Sequence, residues 1–172
     1  MMTLCHPISG MSPLALSWPV VGGRAGEFGW SRTDRNGKPK FHRGVDFACD
    51  PGHPIFAGHD GKVTRGMPGP DYEQKQGHGF GQRIYLAGTR GEDSVLTIYA
   101  HLSGQNVVVG QEIRAGHLIG WAGRSGNITS EITHCHHEVR LGGIGQPDAV
   151  NPMWFYHGTR HDRLGIEHPG GN

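Results

Sequence analysis

The sequence predicts a mostly β fold, a single antiparallel sheet or sandwich domain. Three observations predict it. Glycine supplies 30 of 172 residues, more than twice the usual share of about 7%, and follows no fixed period, which excludes collagen. The glycines separate short apolar runs, as turns separate strands. No long stretch keeps a helical period, so long helices are not expected.

Taken in order, residues 1–40 read as an irregular lead-in, with loop chemistry at Gly22-Gly23 and across Asp34-Arg35-Asn36-Gly37-Lys38-Pro39. From Phe41 the pattern becomes strand-like. Val45–Ala48, Pro54–Ala57, Lys62–Thr64, Arg83–Ala87 and Val95–Tyr99 are the first candidates, then Val107–Val109, Leu118–Ala122 and His136–Leu141. A spacing of about 8–12 residues is what antiparallel strands of a sandwich or barrel show. Met67–Gly77 reads as a long loop between strands. The last strand is expected to end near Asn151-Pro152, so the domain spans 41–156 and residues 157–172 form a polar tail. A chain of this length can bury one core without disulfide staples.

Composition excludes several functions. Lys+Arg number 16 against 15 Asp+Glu, a formal net charge of +1, which gives no electrostatic case for nucleic acid or an anionic membrane. No apolar run is long enough for a transmembrane helix. The three cysteines, Cys5, Cys49 and Cys135, form no CxxC pair, so no zinc-finger cage is available. The first 21 residues lack an early Lys or Arg and contain Pro7, Pro13 and Pro19, which makes a poor secretory signal. Histidine, with 13 copies, is the outlier that calls for a metal search.

Three histidine motifs stand out. In His42-Arg43-Gly44-Val45-Asp46 the two donors are four residues apart, about 13 Å when extended, too far to share one metal. Gly44 permits a bend that would bring them together. Taken alone, the pair reads first as a solvated loop histidine beside an unrelated carboxylate. In Thr133-His134-Cys135-His136-His137-Glu138-Val139, strand alternation puts His134 and His136 on one face and Cys135 and His137 on the other. Two adjacent imidazoles are costly to bury without a metal or shared proton; an exposed polar edge strand is the alternative. The third motif, Tyr99-Ala100-His101-Leu102, gains weight only from the other two. His53, His59, His78, His117, His157 and His161 have no motif behind them and read mostly as solvated groups, with His78 beside the glycine-rich loop as a cleft-lining residue.

H-x-x-x-D, then Y-x-H-L, then H-x-H with x-E-V resembles the M23 family of zinc metallopeptidases, the LytM and lysostaphin-like endopeptidases. The resemblance continues through Gly52-His53-Pro54, Asp60-Gly61-Lys62-Val63, Gly79-Phe80-Gly81-Gln82, Gly110-Gln111-Glu112-Ile113, Gly116-His117-Leu118-Ile119-Gly120 and Asn151-Pro152. It runs from about Phe41 to Met153.

The resemblance implies a LytM-type fold, with zinc held by His42, Asp46 and His136 and one position open for a water that the metal activates. It implies that His134 and His101 are catalytic, His134 as general base and His101 steadying the oxyanion, with the reverse division left open. The implied substrate is a peptide cross-link of bacterial peptidoglycan. A glycine bridge and the D-alanyl cross-link both fit; the D-alanyl bond is favoured because no accessory wall-binding module fits in the remaining residues. The other class weighed is a non-catalytic LytM-like binding or activator module, against which all five site positions stand.

Some residues depart from the family pattern. Glu131 precedes the H-x-H and is expected at the cleft rim, while Cys135 and His137 replace apolar residues. Cys49 and Cys135 are expected to be near neighbours, as a disulfide or as two buried thiols. Asp34 or Asn36 is a candidate to block the open position. Action in the periplasm or cell wall, without a convincing signal, points to a phage lysin or a secreted antibacterial effector. A monomer is expected, with a delivery or immunity protein as partner.

Overall fold

Alternating apolar residues drive the chain into strands that bury one face or both. In the computed structural model, residues 7–8, 26–65, 79–90, 92–142 and 148–156 are described. The strands are β1 (Gly29–Thr33), β2 (Pro39–His42), β3 (Val45–Ala48), β4 (Pro54–Phe56), β5 (Gly61–Arg65) and β6 (Ile84–Arg90). They continue with β7 (Asp93–Ala100), β8 (Leu102–Gln105), β9 (Glu112–Ile113), β10 (Leu118–Ala122), β11 (His134–Leu141) and β12 (Ala149–Val150), before the short helix α1 (Met153–Tyr156).

A seven-stranded antiparallel sheet runs β12-β11-β7-β6-β5-β9, with β3 also paired to β11. A second sheet runs β4-β10-β8, and β1-β2 form a hairpin. Every residue of β11 except Leu141 is buried, because β7 flanks one edge and β3 and β12 share the other. Register divides the faces of the large sheet. Val45, Phe47, Ile84, Leu86, Tyr99, Cys135 and Val139 share the core face. Asp46, His136, Glu138 and Arg140 share the other.

The predicted fold class holds, and Val45–Ala48 and Leu118–Ala122 are found as expected. The lead-in is not irregular throughout. Its last part forms the β1-β2 hairpin, with Phe28 and Trp30 packed edge-on against Phe41, and β2 runs across position 40. Val107–Val109 is not a strand: Val108 and Val109 are exposed, and the neighbouring strand lies earlier, at Leu102–Gln105. Apolar content there reflects a surface loop, a case that a three-residue run cannot distinguish from an edge strand. The Met67–Gly77 loop, the 157–172 tail, Cys5, His78, His157 and His161 lie outside the described residues.

His59 is an exception among the surplus histidines read mostly as solvated. It is 1% exposed. Its Nδ1–H donates to the Asp60 carbonyl (2.8 Å), and its Nε2 lies 3.0 Å from Thr97 Oγ1. Thr97 in turn meets the Tyr99 hydroxyl (3.1 Å), which accepts the Gly58 N–H (2.7 Å). Buried polar groups are tolerated when each finds such a partner. His53 is half-buried, 3.1 Å from the Ile8 carbonyl, and His117 is exposed.

Cys49 and Cys135 are neighbours but both are free thiols. Cys135 sits opposite Phe47, so Cys49 is its diagonal neighbour two positions on. Diagonal pairs are about 7–8 Å apart, beyond ordinary disulfide reach. Burial pushes the Cys49 thiol up to about 11.

Two outcomes follow from these features. Tyr99→Phe leaves the Gly58 N–H without its acceptor and should cost about 1–3 kcal/mol, seen as a lower urea midpoint at unchanged slope. Because the thiolate is the nucleophile, raising the pKa lowers reactivity. Cys49 should alkylate about a hundredfold more slowly than an ordinary thiol at pH 8, its rate rising about tenfold per pH unit; ordinary reactivity in the folded protein would contradict the placement.

Candidate metal centre

The centre is assembled by register. His136 of β11 pairs directly with Asp46 of β3, so their side chains leave the sheet on one face. His42 ends β2, and Arg43-Gly44 carry the chain into β3. Sequence reasoning gave Gly44 the role of a bend. Its role in the structure is clearance: a Cβ there would lie 2.4 Å from the His137 carbonyl oxygen and 2.8 Å from His136 Cε1.

Three donor atoms meet on that face. Asp46 Oδ1 lies 2.8 Å from His136 Nδ1, His42 Nε2 lies 3.0 Å from His136 Nδ1, and His42 Nε2 lies 3.3 Å from Asp46 Oδ1. These are the residues His42, Asp46 and His136, the one group among the described residues able to hold a metal ion. Donors about 2.0–2.1 Å from a tetrahedral ion stand about 3.3 Å from one another. The triangle is close to one face of that tetrahedron, so the residues fit a zinc ion with a fourth position left over.

Each imidazole is oriented by its second nitrogen. His42 Nδ1–H donates to the Glu27 carbonyl (2.8 Å), leaving Nε2 as donor atom to a metal. His136 Nε2–H donates to Glu138 Oε1 (3.1 Å), leaving Nδ1. Glu138 is held by Arg140, through Nε at 3.0 Å and Nη2 at 2.6 Å. Such partners fix the tautomer and raise ligand basicity. Phe80 stacks on the His136 ring at 5.2 Å.

His134 and His101 face the same centre. His134 Nε2 is 3.7 Å from Asp46 Oδ2, and the His101 and His134 rings meet edge to face at 5.1 Å. His101 Nδ1–H donates to the Ser125 carbonyl (2.8 Å), and His134 Nδ1–H to the Ile132 carbonyl (3.1 Å). Both Nε2 atoms therefore carry lone pairs. His101 sits in the left-handed region (φ 63), alone among described non-glycine residues.

Charge in the site follows burial and pairing. Burial works against the charged form of Asp46, but hydrogen bonds from His136 and His42 hold its carboxyl well below the usual range. Burial lowers His42. Burial also lowers His134, with Asp46 opposing. Burial and the neighbouring His136 push His101 down to about 3. Burial would lower His136 too, yet Asp46 and Glu138 on either side hold it up to about 9.

Sequence reasoning named five residues, and the structure brings all five together. It missed three others. Glu138 and Arg140 stand two and four positions beyond His136, on the same strand face, a signal that period-two alternation already carried. Arg32 of β1 donates to Asp46 Oδ2; nothing in the lead-in marked it. The expected blocking residues do not reach the site. Asp34 accepts the Asn36 and Lys38 N–H groups at 2.8 and 2.9 Å in the hairpin turn, and Asn36 is exposed. Glu131 is exposed, in a loop braced by Arg124 bonding to the Ser130 and Glu131 carbonyls.

A model of Peptidase family M23 matches residues 40–152, and the chain belongs to that family. It is 34% identical over 114 residues to DD-carboxypeptidase/endopeptidase Mpg of Neisseria meningitidis serogroup B, covering 66% of this chain and 22% of that protein. It is 32% identical over 108 residues to peptidoglycan DD-endopeptidase ShyC of Vibrio cholerae, covering 63% and 22%. The crystal structure of the catalytic domain of the antimicrobial peptidase lysostaphin from Staphylococcus simulans is similar with a TM-score of 0.59 at 30% identity, covering 76% of this chain and 88% of that one. The chain spans about a fifth of the length of these curated relatives.

Glu138→Gln removes the carboxylate partner of His136 Nε2 while keeping its volume. Zinc affinity, measured by chelator competition, should fall about 10- to 100-fold with the β-sheet circular dichroism retained; unchanged affinity would exclude Glu138 as an orienting group.

Proposed function

We propose that the protein is a zinc-dependent endopeptidase that hydrolyses peptide cross-links of bacterial peptidoglycan, favouring the D-alanyl cross-link over a glycine bridge. One observation carries the reading: beside a triangle of three candidate metal donors stand two imidazoles, each with Nδ1 committed to a backbone carbonyl, leaving Nε2 free to accept. His42 Nε2, Asp46 Oδ1 and His136 Nδ1 would hold the zinc. When bound, zinc supplies Lewis acidity toward water and a substrate carbonyl.

The chain's own residues supply the proton path. His134 Nε2 takes a proton from the attacking water, because Asp46 Oδ2 at 3.7 Å stabilises the imidazolium that forms. His101, held further down by burial and by His136, is the poorer base. A neutral His101 with Nδ1–H committed to Ser125 can only accept at Nε2. It therefore donates to an oxyanion or a leaving amine only after taking up a proton itself. Arg32 bonds Asp46 Oδ2 and so leaves Oδ1 for the metal.

The D-alanyl preference is supported by the name of one relative, a DD-endopeptidase. The place of action on this reading is the periplasm or the cell wall, and the form is a monomeric phage lysin or secreted antibacterial effector, with a delivery or immunity protein as partner.

The test is mass spectrometry of fragments released from diaminopimelate-type peptidoglycan. Zinc-loaded protein should convert cross-linked dimers to monomers, and His136→Ala should reduce this more than about a hundredfold. No conversion by folded, zinc-loaded protein, with release from glycine-bridged walls, would reverse the preference; release from neither would overturn the reading.

A further inference from the structure

We propose that Arg83 and Arg65, with Tyr85 between them, form a subsite for a free carboxylate of the peptide substrate, on the same sheet face as the metal centre. The inference rests on the endopeptidase reading and names what that site selects.

Strand register places the three residues. Arg65 pairs with Tyr85, Tyr85 with Ile98, and Ile98 with Glu138. These four residues form one row across β5, β6, β7 and β11, so all leave the sheet on the face that carries His136. The next row contains Asp46, His136 and Ala100. Ile84 pairs with Tyr99, so Arg83, the preceding residue, falls beside Ala100 in the metal-centre row. Two strand spacings put Arg83 about 10 Å from His136.

The two guanidinium groups share one ring. Arg65 Cζ stands 5.3 Å and Arg83 Cζ 5.9 Å from the Tyr85 ring centroid. The Tyr85 face steadies them, but it does not neutralise them. Among the described residues, Arg32 meets Asp46, Arg140 meets Glu138 and Lys62 meets Glu112, whereas no described carboxylate pairs with Arg65 or Arg83. Arg83 Nη1 donates to the Gly81 carbonyl (3.2 Å), and its buried Nε has no hydrogen-bond partner. Two like charges beside one ring are relieved by an anion at their exposed guanidinium edges.

A carboxylate suits this arrangement because the planar guanidinium fork accepts it in bidentate fashion. An extended peptide advances about 3.3 Å per residue, so the carboxylate sits about three residues from the bond at the metal centre. Diaminopimelate-type stem peptides carry carboxylates on D-glutamate and diaminopimelate. A run of glycines carries none.

Binding separates this proposal from the reading it rests on, because it needs no cleavage. The probes are the tetrapeptide L-Ala-γ-D-Glu-diaminopimelate-D-Ala and its fully amidated form, each titrated calorimetrically into the zinc-loaded protein. The acid form should bind about tenfold more tightly. Arg83→Gln and Arg65→Gln should each shrink that ratio while leaving the amidated peptide's affinity unchanged, which also serves as the folding control. Equal binding of both peptides by the unaltered protein would overturn the subsite. An equal loss on both peptides in the variants would assign the arginines a structural role and overturn it too. An acid preference that the variants abolish, in a protein that releases nothing from peptidoglycan, would leave the subsite standing and overturn the endopeptidase reading instead.

Discussion

The pairing of β3 with β11 is the constraint on which the centre depends. Because His136 faces Asp46 directly, two donors from positions 90 residues apart meet without any loop having to be ordered. A slip of one residue would send Asp46 to the core face and bring Val45 or Phe47 out. The core face forbids that slip, since Phe47 and Val45 are fully buried there. The same hydrophobic packing that stabilises the sheet therefore sets the donor geometry. Gly44 completes the constraint, for only a residue without a Cβ lets the chain pass the His137 carbonyl closely enough to deliver His42.

Four imidazoles and a carboxylate buried around one point would be destabilising without further order. Each ring is instead tied at its outward nitrogen, His42 to Glu27, His101 to Ser125, His134 to Ile132 and His136 to Glu138. Three of those four partners are backbone carbonyls, which can only accept. For His42, His101 and His134 the Nδ1–H tautomer is thereby favoured by the fold rather than by a charged partner. Only His136 is tied to a carboxylate, and it is the ring whose basicity rises. A donor that must compete for a metal benefits from that basicity. His101 and His134, tied to backbone carbonyls instead, are the rings whose basicity burial lowers.

How much of this the sequence discloses follows from which physical signal each part sends. Strand alternation carries His134, His136 and, on the same face, Glu138 and Arg140, so the β11 part of the centre was legible. The fold class was legible from glycine-punctuated short runs. The hairpin before His42 was not, because Gly29–Thr33 pairs only with β2 and its alternation is weak. Carbonyl partners such as Glu27, Ser125 and Ile132 send no signal at all, since any residue has a carbonyl. Cross-strand rows are equally silent: Arg65, Tyr85 and Glu138 become neighbours only when the registers of three strand pairs are known.

His101 shows how the two sheets and the chemistry are joined. β7 ends at Ala100 in the large sheet and β8 begins at Leu102 in the small one, so a single residue makes the passage between them. That residue adopts a left-handed conformation, which costs of order 1–3 kcal/mol for a side chain with a Cβ. Glycine would make the same turn without strain, yet it could not place a ring 5.1 Å from His134 and 5.8 Å from His136. The strain is overcome by backbone bonds on both sides, His101 N–H to Phe80 and Leu102 N–H to Gln82, each at 3.0 Å, and by the Ser125 carbonyl on the ring itself. Phe80, one of these acceptors, also stacks on His136. The Gly79–Gln82 segment thus holds the strained histidine and a metal donor in one grip, and a shift of that segment would move both together.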